Sequence, residues 1–63
     1  MKKESVIPFM RKVMRERRSA IFDPQWFPAD DNSDETFLAL IDLYEEGKIA
    51  ASGGYLFDII TIC

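Results

Sequence analysis

A chain of 63 residues with a formal net charge of −3 makes at most one small domain, and a domain this short buries only about 60% of its unfolded surface. A hydrophobic content of 48%, with five Phe, two Tyr and one Trp, excludes a disordered chain, while a single cysteine (Cys63) and no histidine exclude an internal disulfide and a structural zinc site. Apolar runs of a few residues are too short for a membrane span, and Pro8, Arg11 and Lys12 break the apolar core a signal peptide needs.

Residues 5–18 are predicted to form an amphipathic helix with Ser5 as N-cap and Pro8 in the first turn, where its missing N–H is harmless. Val6, Phe9, Met10, Val13 and Met14 share one face, and Arg11, Lys12, Arg15 and Arg18 occupy the other. Ala20-Ile21-Phe22 reads as a short strand. Asp23-Pro24-Gln25-Trp26-Phe27-Pro28 follows as an ordered loop, since each proline turns its predecessor away from helix. Trp26 and Phe27 serve either as aromatic plugs of the core or as an exposed anchor.

A second helix is expected from Asp34 to Glu46, with Ser33 as N-cap, Asp34 and Glu35 in the acid-favouring first turn, and Gly47 at C′. Phe37, Leu40, Ile41 and Tyr44 form its central stripe, flanked by Leu38, Ala39 and Leu43. The remaining residues read as a β-hairpin around Ser52-Gly53-Gly54. A three-residue turn would pair Ala51 with Tyr55, Ala50 with Leu56, Ile49 with Phe57 and Lys48 with Asp58, setting opposite charges across from each other. Leu56, Ile60 and Ile62 then lie on the other face of the long strand, either covered by the first helix or exposed as an association surface.

The expected architecture is therefore α+β: two helices packed on a C-terminal β-hairpin, with 20–22 as a short third strand, in one domain spanning 1–63. Helix, Glu45-Glu46-Gly47-Lys48-Ile49, then Ser52-Gly53-Gly54-Tyr55-Leu56-Phe57 resembles the last helix and wing of a winged-helix domain over residues 36–59. That resemblance implies a helix entering the DNA major groove. Two features depart from it: residues 23–33 hold two prolines where the middle helix belongs, and the corresponding helix carries no Lys or Arg.

Charge is segregated along the chain. Residues 1–18 hold seven basic groups against two acids, a balance of +5, and residues 19–63 hold one lysine against nine acids, a balance of −8. Asp34, Glu35, Asp42, Glu45 and Glu46 would repel phosphates, so they suit a basic groove on a protein partner. Arg11, Lys12, Arg15 and Arg18 form the alternative, a nucleic-acid contact or a charge-compensating face. Asp30, Asn32 and Asp34 stand at the first, third and fifth positions of a calcium loop, but Glu35 holds the sixth, which needs Gly, and Ile41 the twelfth, which needs Glu.

No catalytic constellation is present in the sequence: there is no histidine to act as base, Ser5, Ser19, Ser33 and Ser52 sit in no nucleophile motif, and Cys63 has no activating histidine. The expectation is a non-enzymatic, cytoplasmic module that uses no metal or cofactor and binds a protein, for example as an inhibitor encoded by a phage or mobile element. The alternative is a winged-helix-like DNA-binding regulator using the basic first helix, as a homodimer.

Overall fold

The structure, a computed structural model, describes residues 1–52 and 58–63. It contains α1 (Lys3–Arg17), a 3-10 turn (Pro24–Trp26), α2 (Ser33–Glu45), β1 (Ile49–Ser52) and β2 (Ile59–Ile62). The two helices pack on each other, α2 packs on β1, and β1 pairs antiparallel with β2. This is the α+β arrangement of two helices and a C-terminal hairpin expected from the sequence.

α1 starts two residues before the predicted Ser5. Lys2 is its N-cap and makes no side-chain capping bond, while Ser5 lies within the first turn, its N–H donating to the Lys2 carbonyl at 2.9 Å. Pro8 therefore sits in the second turn, where it withholds the N–H that would meet the Glu4 carbonyl. Both residues are exposed, so water is available to that carbonyl. The helix ends where Arg18 enters the left-handed region, and the Arg18 and Ser19 N–H groups close onto Arg15 and Met14 carbonyls at 3.2 and 2.9 Å.

Phe22 exchanges both backbone hydrogen bonds with Ile60, at 2.8 and 2.9 Å. The predicted strand at 20–22 is thus one antiparallel bridge on the far side of β2 from β1. In the following loop, Asp23 caps the 3-10 turn by accepting from the Gln25 N–H at 2.9 Å. The loop folds its aromatics inward: Phe22 meets Phe27 at 4.9 Å and Trp26 at 5.6 Å between ring centroids, and Phe9 stacks on Phe27 at 5.6 Å. Trp26 and Phe27 are half-buried against the core.

α2 begins one residue earlier than predicted, because Asn32 rather than Ser33 is the N-cap; its Oδ1 accepts from the Glu35 N–H at 3.2 Å. Gly47 stands at C′ as expected, with φ 76, and the Gly47 and Lys48 N–H groups close onto Tyr44 and Leu43 carbonyls at 3.0 Å.

The hairpin register differs from the predicted one. Ile49 faces Ile62, Ala50 faces Thr61, Ala51 faces Ile60 and Ser52 faces Ile59, so six residues separate the strands. The Tyr55, Leu56 and Phe57 positions of the predicted ladder lie outside the described residues. The slip is odd in length, which exchanges the faces of the second strand. Ile49, Ala51, Ile60 and Ile62 now share the inner face, while Ile59 points outward and is 37% exposed. In this register Ile60 joins Val6, Met10, Phe22, Ala39, Leu40, Leu43 and Ile49 in the core, where its backbone is also held by the two hydrogen bonds to Phe22, a partner that local pattern does not show.

Candidate functional site

Seven of the thirteen residues of α2 are apolar, which leaves open which stripe faces inward. In the fold, Thr36, Ala39, Leu40 and Leu43 are buried, at i, i+3, i+4 and i+7. The stripe on the opposite side of the helix is Asp34, Leu38, Ile41 and Glu45, spanning about 16 Å at 1.5 Å per residue. Leu38 is 62% exposed and Ile41 is half-buried, with Tyr44, 47% exposed, alongside. The predicted central stripe of Phe37, Leu40, Ile41 and Tyr44 is rotated from the observed inner one. Only Leu40 belongs to both.

The five acids named from the sequence divide into two groups. Glu46 meets Lys3 and, at 3.3 Å, Lys48, tying α2 to the start of α1; Glu35 meets the Met1 amino group at 2.9 Å. Lys3 is held above the usual lysine range, chiefly by its hydrogen bond to Glu46, with a smaller push from the Asp42 charge. Glu46 is correspondingly held below the usual carboxylate range, first by Lys3 and then by Lys48. Asp34, Asp42 and Glu45 are exposed and make no salt bridge among the described residues.

A polar cluster that sequence reasoning missed sits at the start of α2. The Met1 amino group donates to Asp31 Oδ1 at 2.8 Å and to Thr36 Oγ1 at 2.7 Å, and Thr36 in turn donates to Asp31 Oδ2. Thr36 carried the signal, as the one polar residue on an otherwise apolar buried stripe, which requires partners for its hydroxyl. Beside this cluster an open hollow of about 220 Å³ is lined by Pro24, Phe27, Asp31, Thr36 and Leu40 among others.

Arg11, Lys12 and Arg15 on α1, and Arg18 at its C-cap rather than on the helix as expected, are all exposed and make no salt bridge among the described residues. Arg11 and Arg15 lie one turn apart, on the side away from the buried Val6 and Met10. Arg17 is used differently, its guanidinium lying 4.4 Å from the centroid of the Trp26 ring.

Of Leu56, Ile60 and Ile62, read from the sequence as either covered or exposed as an association surface, Ile60 is covered. Ile60 is 0% exposed within the core, because its backbone pairs with Phe22 on one side and it faces Ala51 on the other; Ile62 packs against that core, and Leu56 lies outside the described residues. Among the described residues the exposed aliphatics near the sheet are Ile21 and Ile59. Among the described residues no helix is long and apolar enough to cross a membrane, and no three His, Cys, Asp or Glu side chains converge as metal ligands. Compared with protein-family models, curated proteins and solved structures, the chain matches none.

Proposed function

We propose that this chain is a non-enzymatic protein-binding module that uses the outward face of α2, in the manner of a small acidic inhibitor. The observation that carries the reading is the stripe Asp34–Leu38–Ile41–Glu45. Two aliphatic side chains sit at its centre, with an acid at each end, Asp42 on one flank and the half-exposed Tyr44 on the other. An apolar centre with a charged rim is the composition of protein interfaces, and Tyr is among the residues that dominate their energetics. A duplex finds no cation on this helix, and its phosphates would meet uncompensated carboxylates.

The test is affinity capture from a lysate of the native host, with and without nuclease, comparing wild type with Leu38→Asp and Tyr44→Ala. Both positions are exposed, so the variants keep their helical circular dichroism. Recovery of a protein partner should fall by about tenfold or more, the scale of a 1.4 kcal/mol loss. Equal recovery by all three proteins would defeat the reading.

A second reading has its own support in the four exposed cations on α1 and at its C-cap. Two helices on a hairpin, with Phe22 pairing to β2, are compatible with a winged-helix-like regulator that contacts DNA through Arg11, Lys12, Arg15 and Arg18. Four phosphate contacts would give a slope of about −3.6 in log affinity against log salt, and substitution of Arg11, Arg15 and Arg18 by Ala should abolish binding. No duplex binding at about 50 mM salt would remove this reading.

A further inference from the structure

The fold pairs a minority of its charges internally, and among those it leaves exposed is one set at each helix. Lys3 and Lys48 meet Glu46, and Asp31 and Glu35 meet the Met1 amino group. Arg11, Lys12, Arg15 and Arg18 have no carboxylate within ion-pair distance among the described residues, and Asp34, Asp42 and Glu45 have no cation. Arg11, Lys12 and Arg15 lie on the side of α1 away from Val6 and Met10, with Arg18 capping its end, and the second set lies on the side of α2 away from Ala39, Leu40 and Leu43. Each set looks away from the shared core, and no ion pair joins them within the molecule among the described residues.

We infer that the partner for the α2 face is a second copy of this chain, whose α1 docks its basic face there in a head-to-tail contact. The inference rests on the reading of α2 as a contact face and names its occupant. Arg11 and Arg15 lie about 6 Å apart along α1, within the about 16 Å that separates Asp34 from Glu45 along α2, at the helical rise of 1.5 Å per residue. Four cations oppose three carboxylates, and Leu38 and Ile41 lie where the apolar stems of Arg and Lys cover them. A nucleic acid would match only the α1 set and would meet the −8 balance of residues 19–63 on the same small molecule. A second copy satisfies both faces at once. Because the two patches differ, the contact is heterologous, and its repetition closes a ring or extends a chain.

The full chain is examined by sedimentation from about 10 μM to about 1 mM, at roughly 50 and 500 mM salt, between which the screening length falls from above 10 Å to about 4 Å. Wild type should exceed its monomer mass at low salt and return to it at high salt. Arg11→Glu with Arg15→Glu, and Asp42→Lys with Glu45→Lys, should each be monomeric alone. An equimolar mixture of the two should assemble, because each supplies the face the other lacks. Arg11→Gln with Arg15→Gln, which removes charge without reversing it, should also be monomeric while keeping the wild-type circular dichroism.

Monomeric wild type at the highest concentration and lowest salt overturns the inference and leaves the α2 reading to the capture assay. Wild-type assembly that the mixture fails to reproduce overturns the head-to-tail geometry. A mass shift seen only on adding a duplex of about 20 base pairs, and lost in the Arg11→Glu, Arg15→Glu variant, assigns the basic face to phosphates and overturns it as well.

Discussion

Arg18 closes α1 in the left-handed region, at φ 53 and ψ 42, the only described residue other than glycine with positive φ. A side chain there costs about 1–2 kcal/mol, part of which glycine would return through the greater freedom of its unfolded chain. Arg18→Gly should therefore raise stability by about 0.5–1 kcal/mol, seen as a rise of a few degrees in Tm. An unchanged or lower Tm would mean that the charge at the helix C-terminus outweighs the backbone strain.

Asp31 supplies a second prediction. Its carboxyl is held below the ordinary range, first by the hydrogen bond from the Met1 amino group and then by that from Thr36. A depressed folded pKa contributes stability above the unfolded value, near pH 4, and that contribution is lost as pH falls through the folded value. The amino group is raised, first by its bond to Asp31, so its contribution holds below the unfolded value near 8 and fades as pH rises through the folded one. Asp31→Asn should lower Tm across the window between about pH 4 and pH 8 and flatten the acid limb of a Tm–pH profile. A variant whose acid limb matches wild type would show that this cluster carries none of the pH dependence.

Among the elements, β2 separates local pattern from fold most sharply. Ile59 and Ile60 are adjacent and chemically identical, yet the register buries Ile60 completely and leaves Ile59 37% exposed. Ile60→Ala should cost about 3 kcal/mol, a large share of the stability of so small a domain, and Ile59→Ala under about 1 kcal/mol. Urea titration of the two variants measures the difference; reversed costs would mean that the strands pair in the register expected from the Lys48–Asp58 match. α2 carries a similar ambiguity, because seven apolar residues in thirteen offer more than one stripe to a core. Its ends were readable, since Gly47 is a local stop signal and Asn32 and Ser33 are both good caps. The start of α1 was not, because Lys2 makes no side-chain cap and the preceding Met1 is anchored by Asp31 and Thr36, some 30 residues away in sequence.

For the whole molecule, the dominant property is the separation of charge between the two helices. The +5 balance of residues 1–18 and the −8 balance of residues 19–63 are only partly joined by Lys3–Glu46 and the Met1 cluster. The core that holds the helices together leaves the remaining charges on outward faces. The expected consequence is electrostatic: assembly favoured at low ionic strength, reversed by screening, and transferable between molecules by exchanging the sign of the two faces.

Composition and local pattern alone determined the two helices, the Gly47 stop, the C-terminal hairpin and the existence of two charged segments. Each of those depends on residues within a few positions of one another, where cap chemistry, helical periodicity and turn residues act directly. Tertiary structure decided which side of α2 is buried, which isoleucine of β2 enters the core, and which of the five helix acids are already paired. Those outcomes depend on contacts between Phe22 and Ile60, Lys3 and Glu46, and Met1 and Asp31, whose partners are far apart in the chain. The outward stripe Asp34–Leu38–Ile41–Glu45 is therefore visible only once the core has claimed the other side of the helix.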